Sequence, residues 1–187
     1  MKPNKLLHPV SMLLLIFASS ANANESLLQA KPDMPIENTA CVASEYRQFD
    51  FWLGEWNVYG GTDGKRVLGH SRIERHASGC WLSEHWQSGS GPAHDGTSLN
   101  TWDPQYKVWR QFWVGADAGV LRLEGKLHEG IMTLEGQLPG ENQHIQLQRI
   151  TWTPNADGSV TQHWEISDDK GGSWQTFFLG IYRRVMK

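Results

Sequence analysis

Tyr106-Lys-Val-Trp109-Arg-Gln111-Phe-Trp113-Val114 has a strict two-residue period. Lys107, Trp109, Gln111 and Trp113 fall on one side; Tyr106, Val108, Arg110, Phe112 and Val114 fall on the other. Alternation of this kind, carried by aromatic and β-branched side chains, specifies a β-strand. Working outward, the same grammar repeats along the chain. Turn signals stand at Gly60-Gly61-Thr-Asp63-Gly64, Ser88-Gly-Ser-Gly-Pro92, Asp95-Gly96, Asp103-Pro104, Glu129-Gly130, Pro139-Gly140, Asp157-Gly158 and Asp168-Asp-Lys-Gly-Gly172. They recur every ~8–15 residues with no helical-period stretch between them, the mark of sequential antiparallel hairpins.

The runs between these turns give nine or ten strands: 51–59, 66–77, 80–88, 97–103, 106–114, 119–127, 131–138, 143–153, 159–167 and 174–185. A twisted open sheet rarely holds that many without curling, and closure removes its exposed edges. The expected fold class is therefore all-β, a single antiparallel up-and-down β-barrel of about 8–10 strands, wide enough for one small ligand. A β-sandwich is the alternative, since sequence does not reveal closure.

The first 23 residues read as a segment that is removed. Lys2 and Lys5 precede the apolar run Val10-Ser-Met-Leu-Leu-Leu-Ile-Phe-Ala18, and Ala21-Asn22-Ala23 supplies small residues for cleavage, as in a secretory signal peptide. The run is too short for a membrane span of ~20 residues, and no Cys follows it for a lipid anchor. A retained N-terminal anchor is the competing reading. Residues 24–48 read as a polar N-terminal extension and 49–187 as the barrel domain. The expected location is outside the cytoplasm, in the periplasm, after cleavage. The only two cysteines, Cys41 and Cys80, are then expected to form a disulfide. A reactive thiol is the alternative, but neither a C-x-x-C spacing nor a neighbouring base favours it.

Charge excludes one large class of partner. The chain has 17 Lys and Arg against 20 Asp and Glu, a formal net charge of −3. No basic cluster longer than a pair occurs, so no nucleic-acid partner is expected. The ten Trp are the unusual feature, pointing to aromatic surface for packing or stacking. By strand parity Trp86, Trp109, Trp113 and Trp164 share an interior with Glu84, Asn100, Gln111, Gln162 and Tyr182. Aromatic walls with a few polar groups describe a pocket for a small hydrophobic or amphipathic molecule. The plainer alternative is that these Trp plug the barrel, their indole N–H groups bonded to Gln and Glu. Glu84 shares the face of Leu82 and Trp86, and a carboxylate there must be paired, protonated or functional. Arg149 and Arg122 are its candidate partners in a buried ion pair.

Phe49-Asp-Phe-Trp-Leu-Gly54-Glu-Trp56 opens the barrel domain. Its Gly54-x-Trp56 resembles the G-x-W signature of the calycin superfamily, which contains the lipocalins. In those barrels the Trp closes one end beneath a cation from the last strand, which implies that Arg184 lies across Trp56 and that Gly54, Trp56 and Arg184 are structural. The longer series is Gly79-Cys80, Glu84-His-Trp86, Trp102-Asp-Pro104, Trp109-x-Gln111-x-Trp113, Leu123-Glu-Gly125, Arg149-Ile-Thr-Trp152, Asp157-Gly158 and Gly180-Ile-Tyr182-x-Arg184. With the opening motif it resembles a family of exported bacterial lipocalin-like proteins of unknown function, across residues 45–185. That resemblance implies a calycin-like barrel and export, and carries no catalytic residue. Ser167-Asp-Asp169-Lys-Gly171-Gly-Ser173-Trp174 resembles the Asp-box hairpin of sialidase propellers, but a single copy in a chain this short implies the hairpin alone.

No local motif points to a metal or cofactor. The histidines at 70, 76, 85, 94, 128, 144 and 163 include no H-x-H or H-E-x-x-H, the pattern zinc needs. His85 and His163 read as surface residues, and no His has the inward parity that haem ligation requires. There is no G-x-S-x-G elbow and no phosphate loop. No metal and no cofactor are therefore expected. The leading functional reading is an exported binding or carrier protein for a small amphipathic or aromatic ligand. The competing one is a cofactor-free isomerase, lyase or hydrolase with Glu84 as general acid/base; a barrel that is simply filled is the third.

Overall fold

Short two-residue-period segments cut by Gly, Asp and Pro can bury an apolar face only by pairing with neighbours, and here they do so around a complete circle. The computed structural model describes residues 41–60, 64–140 and 144–186, all within one unit, Glu37–Lys187. The expected signal peptide and residues 24–40 of the extension lie outside the described residues. The strands are β1 (Gly54–Gly60), β2 (Arg66–Arg75), β3 (Trp81–Ser88), β4 (Gly96–Asp103), β5 (Val108–Gly115), β6 (Val120–His128), β7 (Ile131–Pro139), β8 (Ile145–Pro154), β9 (Val160–Ser167) and β10 (Gln175–Arg184). Each pairs antiparallel with its sequence neighbours, and β10 returns to β1 to close a ten-stranded up-and-down barrel. Among the described residues no helix is long and apolar enough to cross a membrane.

Two expected strand boundaries are corrected. The first strand begins at Gly54 rather than 51, because Asp50–Trp52 forms a 3-10 turn. Its amides close on the carbonyls before them, Trp52 N–H on Phe49 and Leu53 N–H on Asp50. The fifth strand begins at Val108 rather than 106. Asp103 Oδ1 caps the amides of Gln105 and Tyr106, and Lys107 turns at φ +54°, so these residues form the hairpin loop.

That 3-10 turn determines which end of the barrel is closed. Phe49 and Trp52 are fully buried and stack at 5.0 Å. Phe49 meets Trp109 and Trp152 edge-on at 5.6 and 5.2 Å, and Trp52 packs on Trp152 at 5.4 Å. Together these rings plug one end with aromatic area, the densest apolar material available per residue. A second 3-10 turn, Ser44–Arg47, leads into the plug. Arg47 donates to the carbonyls of Cys41 and Gly79 at 3.0 and 2.6 Å, and Gln48 Oε1 accepts from Trp109 Nε1 at 3.1 Å. Arg75 holds the segment through Asp50 and the Tyr46 carbonyl. The Cys41–Cys80 disulfide joins this entering segment to the residue before β3.

The barrel seam lies at the same end. Trp56 stands opposite Arg184 in the β1–β10 register, with the guanidinium 4.3 Å above the indole ring. Arg184 Nη1 also donates to the Leu53 carbonyl at 3.0 Å. At the other end the wall loosens on one side. The β6–β7 ladder stops at Leu123 opposite Gly136, while β6 continues on β5 to Val120 and β7 continues on β8 to Pro139.

Candidate ligand cavity

Because the plug fills only one end, the inward face of each strand divides by depth. Residues near the plug pack against Phe49 and Trp52, and those further along face open space. That space is an inner chamber of about 100 Å³ lined by Glu84, Trp86, Gln111, Trp113, Leu121, Ile150, Gln162, Trp164, Phe178 and Tyr182. It continues into a mouth of about 530 Å³ that shares Trp86, Trp113, Leu121, Trp164 and Phe178. Of the nine residues expected at a ligand, Glu84, Trp86, Gln111, Trp113, Gln162, Trp164 and Tyr182 line the chamber.

Trp109 and Asn100 do not line it. Trp109 belongs to the plug, bonded to Gln48. Asn100 is fully buried and bonds Gln111, which reaches the cavity. Sequence reasoning missed Phe178, Leu121 and Ile150. The signal for the first was Phe177-Phe178, two adjacent aromatics that break strict alternation. The β9–β10 register slips between Thr176 and Phe178, and this bulge brings both rings to the mouth. Phe178 meets Trp86 edge-on at 6.1 Å, and Phe177 lies 4.5 Å from Trp164.

The wall aromatics are seated by glycines on adjacent strands. A Cβ at Gly96 would come within 2.1 Å of the Trp113 ring, and one at Gly69 within 2.7 Å of the Trp86 ring. A side chain at either position would push the indole into the chamber.

The chamber floor is a directional hydrogen-bond network. Gln111 Nε2 donates to Asn100 Oδ1 at 2.7 Å, and Asn100 Nδ2 donates to Ser98 Oγ at 2.9 Å. Ser98 Oγ donates to Glu84 Oε2 at 3.1 Å, and Ser71 Oγ donates to Glu84 Oε1 at 2.9 Å. Tyr182 stands against Glu84 and donates its hydroxyl to Gln162 Oε1. The expected Glu84 ion pair with Arg149 or Arg122 is therefore overturned. Arg149 points outward, bonded to Glu165 and 3.9 Å from the Trp174 ring; Arg122 lies over Phe112 on the outer face. The short hydroxyls of Ser71 and Ser98 occupy the inner positions next to Glu84.

With no cation beside it, Glu84 carries the cost of burial. Only 4% exposed, its carboxyl is pushed up from 4.5 to about 7 by burial, against the opposing pull of the Ser71, Ser98 and Tyr182 hydroxyls. The Tyr182 hydroxyl is raised well above its usual value, first by burial and then by the neighbouring carboxylate. A folded-state carboxyl raised from 4.5 to about 7 stabilises the fold fully below pH 4.5. That contribution is lost as pH rises through 7. The decline amounts to roughly 3 kcal/mol, most of it between pH 5 and pH 8. Glu84→Gln cannot ionise and still accepts from a serine, so its unfolding free energy in urea is expected to stay flatter by that amount between pH 5 and pH 8. Parallel profiles for the two proteins would contradict this.

The Asp169 hairpin lies away from the cavity. Asp169 accepts from the Ser173 amide and hydroxyl and from Ser167 Oγ, which pull its carboxyl down to about 2. It acts as a self-capped turn. Neither known protein families nor curated proteins match the chain.

Proposed function

We propose that the protein is an exported binding or carrier protein of calycin type, belonging with the lipocalin-like proteins that its Phe49–Trp56 segment resembles, and that it holds one small amphipathic molecule in the chamber. One observation carries this reading. The polar groups of Glu84, Gln111, Gln162 and Tyr182 are gathered at the closed bottom of an aromatic cavity, which gives a ligand's polar head and apolar body separate places. The Cys41–Cys80 disulfide supports export, since such bonds persist in oxidising compartments.

Native mass spectrometry of the protein purified from its own host is expected to show a co-purified small molecule. Titration with indole is expected to quench the intrinsic Trp fluorescence with one-site saturation. Trp113→Phe is expected to weaken that binding by about tenfold while moving the thermal midpoint only a few degrees, because most of the apolar volume is kept. Loss of stability in Trp113→Phe together with no saturable quenching would make these Trp packing rather than a site. A second reading is favoured by the Glu84 carboxyl, whose value of about 7 suits a general acid/base. In that case turnover of a bound ligand would be lost in Glu84→Gln while binding remained.

A further inference from the structure

The charge lining the cavity has one sign. Among the described residues, the inner chamber contains a single ionisable acid, Glu84, and no Lys or Arg. The mouth adds Asp95 and Asp117, with His94 and again no Lys or Arg. Asp95 caps the Ser88 amide at 2.7 Å and Asp117 the Gly119 amide at 2.9 Å, so both are fixed by their turns. The described arginines go elsewhere. Arg47 and Arg75 brace the plug, Arg184 covers Trp56, and Arg110 and Arg149 pair on the outer wall.

The rings of Trp86, Trp113, Trp164 and Phe178 line the same chamber as the Glu84 carboxyl. Aromatic faces attract cations through their quadrupole, Trp most strongly. A buried carboxylate without a basic partner also leaves a counter-charge to be supplied. An anionic ligand would meet three carboxyls on its way in. A neutral one would leave the Glu84 charge unmatched.

We infer that the chamber recognises a small organic cation, an ammonium or quaternary ammonium head on an apolar body, with the head at Glu84 within the ring of Trp86, Trp113, Trp164 and Phe178. The inference rests on the binding reading above and specifies its ligand class. The cation takes the place of the proton that otherwise neutralises Glu84. Below pH 7 one proton leaves the carboxyl for each cation bound, and the charge inside the chamber stays balanced.

The test uses three probes of one shape: benzyltrimethylammonium, benzyl alcohol and benzoate, each titrated calorimetrically into the full mature chain. At pH 8 the quaternary cation is expected to bind at least about tenfold more tightly than the alcohol, and benzoate more weakly than either. Affinity for the cation is expected to rise by up to about tenfold per pH unit below pH 7 and to level off above it, as Glu84 gives up its proton. The other groups facing this site are Tyr182, which keeps its proton throughout, and Asp95, Asp117 and His94 at the mouth. The mouth groups are common to Glu84→Gln, so that variant isolates the chamber carboxyl. It is expected to bind cation and alcohol within about threefold of each other. If the alcohol or benzoate binds the unmutated protein as well as the cation does, the cation inference falls and the binding reading stands. If none of the three binds, both fall.

Discussion

Trp52→Ala is expected to remove about 3–5 kcal/mol of stability, the range for deleting a large aromatic from a core that does not collapse. Trp52 is fully buried, stacked on Phe49, tilted on Trp152 and edge-on to Tyr182 at 6.2 Å. Its carbonyl receives the Trp56 indole N–H at 2.9 Å, so the backbone there also orients the ring beneath Arg184. The side chain sits on a 3-10 turn between barrel strands, and its neighbours, held by β1, β8 and β10, have little freedom to close over the gap. The Trp52 indole N–H has no hydrogen-bond partner, so the loss is one of packing and apolar burial. The thermal midpoint is expected to fall by roughly 10 °C or more for a domain of this size. A loss below 1 kcal/mol in urea unfolding would show that the aromatic plug is an ornament on the barrel rather than its stopper.

Breaking the Cys41–Cys80 bond is expected to cost about 4 kcal/mol. The bond closes a loop of 39 residues, and the chain-entropy account gives that magnitude from the freedom returned to the unfolded chain. The location adds a native-state consequence. The bond ties down the segment that carries Arg47 and Gln48 into place, and these brace Gly79 and Trp109. Once it is broken, the segment is held by its hydrogen bonds and the buried rings alone. Denaturant unfolding of the oxidised protein and of Cys41→Ser/Cys80→Ser measures the difference. Equal midpoints would mean that the bond constrains nothing the plug does not already hold.

The sequence made the strands legible because hairpin turns and two-residue alternation are local signals. Nine of the ten expected strands start within two residues of the observed ones. Phe49–Trp52 misled because an apolar aromatic run reads alike as a strand and as a buried stopper. Parity placed Trp109 and Trp113 correctly on one face but says nothing of depth. Four residues of strand span ~13 Å, enough to put one ring in the plug and the other at the cavity. Glu84 shows a second limit. Its inward direction was readable, yet its partners sit on β2, β4 and β10, and the serines that satisfy it look like filler in the sequence. Charge was the least legible property, since only the assembled wall shows that no described arginine lines the chamber or its mouth.

The seam between β1 and β10 also bears on how the molecule comes into being. The bond from Arg184 to Leu53 spans 131 residues, and the Val185 amide reaches back to Glu55 at 3.0 Å. During synthesis nine strands can zip up hairpin by hairpin through local contacts, yet the sheet keeps two raw edges until β10 emerges. Closing so long a loop is entropically costly and slow, and open edges in the meantime invite pairing with other chains. Those same late residues bring Phe178 and Tyr182 to the cavity. The nascent chain therefore acquires its protected edges and its complete pocket together when β10 docks on β1, and a chain without β10 acquires neither.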